Sequence, residues 1–144
     1  MGAAHFFHHD TRTLVSLYWG RTTPEETVAM RRARAADPDR ASALAHVIDL
    51  TDFEGSTASP AAETSTFSSL GAEYASVYGP LRTVVIAPRA HVFGEARAFE
   101  IQATAGVPAA PVRAVLTWEE AERVLEMDLA SVRDAIDARR TNSS

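Results

Sequence analysis

The sequence predicts an α/β fold, a single-domain layer structure with a five-stranded mixed sheet and about four helices in the order β-β-α-β-α-β-α-β-α. Two observations predict it. The run Leu81-Arg82-Thr83-Val84-Val85-Ile86-Ala87, between Gly79-Pro80 and Pro88, is short, apolar and β-branched, the signature of a strand buried on both faces. Phe93, Ala96 and Phe99 follow it at helical spacing, so the centre of the chain reads as a strand, a turn and a helix. Other strand candidates lie on either side, each joined through a helix. The chain of 144 residues fits one domain over residues 1–140, followed by a polar tail at 141–144.

Residues 5–9 and 14–19 are strand-like and separated by Asp10-Thr11-Arg12-Thr13, which predicts an opening hairpin. Val15, Leu17 and Trp19 share one face of the second strand by period-2 spacing, and that face is expected beneath helices. Thr23-Pro24-Glu25-Glu26 combines a hydroxyl cap, proline at the first helical position and a returning glutamate, so a helix starts there. It is expected to reach Ala36, with small residues inward and arginines outward, and to end at Asp37-Pro38-Asp39. Residues 44–50 form the next strand, and Thr51-Asp52-Phe53-Glu54-Gly55-Ser56-Thr57 has loop composition. A helix from Ser59-Pro60 carries Phe67, Leu70, Tyr74 and Val77 on one stripe. Residues 111–116 are the last strand. Thr117-Trp118-Glu119-Glu120 opens a final helix whose apolar stripe, through Leu125, Leu129, Val132 and Ile136, persists to Arg139.

Composition excludes several chemistries. There is no cysteine, which removes disulfides, thiol nucleophiles and thiolate metal sites. All fourteen basic residues are arginine, so Schiff-base lysines and a phosphate-loop lysine are impossible. A net charge of −5 argues against nucleic acid as a partner. No apolar stretch approaches the ~20 residues of a membrane helix, and the N-terminus lacks a signal pattern, so a cytoplasmic, not membrane-spanning protein is expected.

The opening hairpin, the Thr-Pro-Glu-Glu start, Val47-Ile48-Asp49-Leu50-Thr51-Asp52, Val84-Val85-Ile86-Ala87-Pro88 with Phe93-Gly94, and Thr117-Trp118-Glu119-Glu120-Ala121 together resemble the SpoIIAA-like proteins of the STAS/SEC14 group. The resemblance spans residues 5–125 and implies a small α/β domain without a catalytic site, related to anti-anti-sigma factors and lipid-transfer domains. In the anti-anti-sigma branch a serine in an Asp-Ser-Ser-Gly-like motif after the aspartate-bearing strand is phosphorylated. This sequence departs from that motif, so neither sigma-factor control nor a kinase partner carries over. Ser56 and Thr57 are the nearest hydroxyls and the only phosphorylation candidates of that region.

Residue by residue, the remaining candidates have plain readings. His5 and His9 share a strand face ~13 Å apart, and His8 and Asp10 share the other at ~7 Å, too few convergent ligands for a metal, so they read as polar residues of an edge hairpin. His91 and Glu95 lie one helical turn apart, an arrangement of ordinary surface electrostatics. Asp49 and Asp52 flank a strand end, where open α/β sheets place ligands, but aspartates there also cap loops. Gly94 inside a helix implies close packing against the sheet, the plainer reading, or the close approach of a ligand. No catalytic, cofactor or metal residue is assigned.

The expected function is therefore non-enzymatic: a regulatory domain that binds another protein. The alternative is a carrier or sensor of an apolar small molecule or lipid, with a groove between Phe67, Leu70, Tyr74 and Phe93, Phe99, and a mouth at Phe53, Pro88 and His91. The stripe Leu129, Val132, Ile136 runs past the part that resembles the family, so it buries itself either on its own domain or on a second copy, and self-association into a homodimer is the expectation for it.

Overall fold

In the computed structural model, which describes residues 2–57, 81–106 and 112–143, five strands form one sheet in the spatial order β1-β2-β3-β4-β5. β1 (Gly2–His8) pairs antiparallel with β2 (Thr13–Thr22), and β2, β3 (Ala45–Ser56), β4 (Arg82–Ile86) and β5 (Val112–Val115) run parallel. The helices are α1 (Pro24–Ala36), α2 (Ala90–Gly106), α3 (Trp118–Leu125) and α4 (Ala130–Ser143), with a 3-10 turn at Pro38–Ser42. The helix expected over Phe67, Leu70 and Tyr74 lies outside the described residues.

β4 sits between β3 and β5, with Val84, Val85 and Ile86 buried, as a two-faced apolar strand requires. Its alternate residues feed two cores. Val84 and Ile86 join Val15, Leu17 and Val47 under α3 and α4, while Val85 joins Ile48, Leu50 and Phe53 under Val92, Ala96 and Phe99 of α2. Trp19 packs against the first core, so the face of β2 expected under helices is the one they cover.

α1 begins on a complete capping box, Thr23 Oγ1 accepting from the Glu26 N–H and Glu26 Oε1 accepting from the Thr23 N–H. Its orientation corrects the expected one. Val28 and Ala35 face solvent, whereas Met30 and Arg34 are buried, because the sheet beneath offers a polar partner to an arginine.

Two boundaries also differ. Residues 51–56 are strand rather than loop: β3 continues alongside β2 to the pair Thr22 and Ser56, seven residues past its last pairing with β4, at Asp49 and Ile86. Two bulges absorb the residues whose composition suggested a loop. Leu50 and Thr51 stand opposite Tyr18 alone, and Glu54 has no counterpart between Gly20 and Arg21. Gly20 bends there at φ 62, a conformation that costs glycine nothing. The expected last helix is broken as well. Glu126 turns left-handed at φ 54 and ends α3, and the Asp128 carboxylate accepts the Ala130 N–H to start α4. Leu129, Val132 and Ile136 nevertheless remain on the sheet, fully buried against this same chain. That burial removes the reason for expecting a homodimer through this stripe.

Gly94 is exposed, and a Cβ added there meets nothing within 4 Å, so close packing does not explain it. Gly94→Ala should therefore stabilise the protein by about 0.5–1 kcal/mol in chemical denaturation. A destabilised variant would show that the open space is used.

Candidate functional site

β3 carries two polar side chains into the interior, on opposite faces and near opposite ends of the portion paired with β4. His46 and Asp49 are both 0% exposed. An arginine from the overlying helix layer bonds Asp49 directly, and on the other face one bonds Ser16, the partner of His46.

Asp49 stands at the carboxyl edge of the parallel sheet, paired with Ile86, the last residue of β4. At the adjoining bulge the ladder gives up the Thr51 N–H, and Asp49 Oδ1 accepts it at 3.0 Å together with the Thr51 hydroxyl at 2.5 Å. The bulged Thr51 carbonyl accepts from Arg89 Nη2 at 3.2 Å, on the loop that leads into α2. Asp49 Oδ2 accepts from Arg140 Nη2 at 2.5 Å, and the same guanidinium pairs through Nε with Asp52 at 2.9 Å and through Nη1 with Asp137 at 3.3 Å. Burial pushes the Asp49 carboxyl above its usual range, against the Thr51 hydrogen bonds and the Arg140 charge that pull it down. The two aspartates singled out by their place at a strand end are thus brought together, and the bulge-capping role holds for Asp49.

Arg140 itself was not foreseen, yet its signal is visible. Leu129, Val132 and Ile136 step along the inward stripe of α4, and the next position, four residues on, is Arg140. An arginine that continues an apolar stripe needs a buried carboxylate to face.

On the other face Ser16 Oγ lies 2.8 Å from His46 Nε2 and accepts from Arg34 Nη1 at 3.1 Å. A serine and a histidine at this distance have the geometry that activates a nucleophile. Here both are fully buried, and the arginine covers the serine oxygen, so what the group does is fasten α1 to the sheet. Burial first, then the charges of Arg34 and His5, hold His46 well below the usual histidine range, and it is neutral. Sequence spacing gave no sign of the pair, because the two residues sit 30 apart on neighbouring strands.

The hairpin histidines also differ from their expected role. His5 is not a solvated edge residue: its side chain is buried and its Nε2 lies 2.6 Å from Asp37 Oδ2, at the end of α1. Burial opposes ionisation of Asp37, but the Asp39 N–H and His5 outweigh it and leave that carboxyl below its ordinary range. His8 bonds Thr11 at 2.7 Å and His9 lies 3.9 Å from Asp39. Among the described residues no three histidine, aspartate or glutamate side chains converge on one metal position.

Of the proposed groove, Phe53 and Phe99 are core residues, and Phe53 meets Tyr18 edge-on at 5.9 Å between ring centroids. Phe93 is half-buried against the same core, while Pro88 and His91 are exposed. Phe67, Leu70 and Tyr74 lie outside the described residues. Ser56 ends β3, and Thr57 is exposed, its N–H donated to the Thr22 carbonyl at 2.9 Å.

The fold is that of an uncharacterised DUF3478-family protein from Shewanella loihica PV-4 described as having a SpoIIAA-like fold. The two superpose with a TM-score of 0.58 at 17% identity, over 86% of this chain and 94% of that one. No family model and no curated protein matches the chain. The likeness establishes a SpoIIAA-like fold, as the quoted motifs implied.

Two outcomes test the electrostatics. Arg140→Met leaves Asp49 buried without its cation and should cost about 3–5 kcal/mol near neutral pH. A carboxyl raised in the folded state stabilises most below its unfolded pKa, and that contribution is lost as pH rises through the folded value. The cost of Arg140→Met should therefore shrink on acidification, as Asp49 takes a proton; a cost independent of pH would contradict the assignment. For His46 the sign is opposite: stability is full above the ordinary value of 6.5 and falls below it, because the unfolded chain binds the proton better. His46→Gln should flatten urea stability between about pH 7 and pH 5, and an unchanged slope would place the proton uptake elsewhere.

Proposed function

We propose that this chain is a non-enzymatic, regulatory STAS-like domain that acts by binding another protein at the carboxyl edge of its sheet. The observation that carries the reading is the ribbon of residues 19–22 and 52–56, which runs on past the last pairing with β4. Along that stretch the outer backbone edge of β3 has no strand partner among the described residues. An open strand edge is a template for backbone pairing with a second chain. The exposed Glu54 and half-exposed Asp52 give it an acidic surface, suited to a basic segment. A phosphate on Thr57, the exposed residue that follows the strand, or on Ser56 at its end, would alter that surface.

The carrier reading has less support at the positions described. Phe53 and Phe99 fill the space between α2 and the sheet rather than line a groove. The ends of open α/β sheets remain ligand sites by topology, which is equally consistent with a peptide.

Affinity capture from cells of the source organism, with native mass spectrometry of the purified chain, tests the proposal. A stoichiometric protein partner should be recovered and should be lost with Glu54→Arg, whose melting temperature stays within a few degrees of wild type. A retained acyl-chain mass on the purified protein, with capture unaffected by Glu54→Arg, would overturn it in favour of the carrier.

A further inference from the structure

We infer that the last turn of α4 is a strap across the carboxyl edge, an intramolecular contact that must lift before a partner reaches Asp49 and the bulge beside it. This inference rests on the reading of that edge as a docking surface. The apolar attachment of α4 ends at Ile136, which is fully buried. Beyond it, Arg139 and Arg140 attach to the sheet through their guanidinium groups. Arg139 lies over the Phe6 ring at 3.9 Å, and Arg140 forks onto Asp49 and Asp52. Both are electrostatic contacts at the partly exposed end of a helix, where fraying starts. Arg140 is itself 24% exposed, so salt and competing cations reach it, while Asp49 beneath it is sealed. A segment held this way opens without unfolding the core, because none of the core side chains Leu129, Val132 or Ile136 has to move. When it opens, a buried carboxylate is left that is best satisfied by another guanidinium, so an arginine on the partner's basic segment is the group that fits.

Hydrogen exchange on the full chain tests the strap independently of any partner. In Arg140→Gln, exchange should accelerate at least about tenfold more in residues 137–143 and 49–53 than in residues 129–136, whose exchange follows the global loss of stability. In the wild type, raising NaCl from about 0.05 M to about 1 M should accelerate the same two segments, which keeps the test decisive if the variant folds poorly. Uniform acceleration along α4, or none in residues 137–143, would overturn the strap. Failure of the docking reading is seen separately, as capture of no partner by wild type and Arg140→Gln alike. If both hold, Arg140→Gln should recover more partner than wild type from the same lysate.

Discussion

A sheet covered on both faces leaves no water for a polar side chain on its central strands, so every such group needs a partner within the protein. β3 carries two, and the architecture follows from how they are met. Arg34 of α1 serves the Ser16–His46 pair on one face, and Arg140 of α4 serves Asp49 on the other. The two layers are thereby fixed to neighbouring strands, α1 to Ser16 of β2 and α4 to Asp49 of β3, each through a guanidinium. Apolar packing supplies most of the burial energy, but it is not directional. The polar pairs set how α1 and α4 are rotated and where they end.

The choice of arginine matters chemically. A guanidinium presents donors in a planar fork, so Arg140 bonds Asp49 and pairs with Asp52 and Asp137 from one group. An ammonium in that position has no such fork. In a chain whose basic residues are all arginine, each buried cation site has the geometry best suited to it.

The sheet, its central strand and the helix starts were legible because they rest on local rules: β-branched runs, period-2 alternation and capping boxes. Thr23 and Val84 behave as those rules require. What was not legible depends on distant partners. Arg34 turned inward against expectation because Ser16 lies beneath it, and His5 is buried because Asp37 returns to meet it. Residues 51–56 looked like loop because Asp, Gly and Ser dominate turns, whereas here bulges let the same residues pair with β2. At the site, Asp49 and Asp52 were visible from their position, and their cation was not, since 91 residues separate Asp49 from Arg140. Of the groove aromatics, Phe53 and Phe99 are core residues, since spacing identifies a buried stripe but does not distinguish a filled interior from an open one.

The left-handed residue at Glu126 has a consequence for how the chain tolerates change in length. It resets the helical phase, and from Asp128 onward α4 acts as a gauge bar between its cap and Asp49. Each residue advances a helix by ~1.5 Å and turns it by ~100°. One residue gained or lost between Leu129 and Arg140 would swing the guanidinium off the sheet while leaving composition and helix propensity untouched. That stretch is consequently intolerant of insertion although much of its surface is solvent-facing. Descendants of this sequence should vary there by substitution and keep the count.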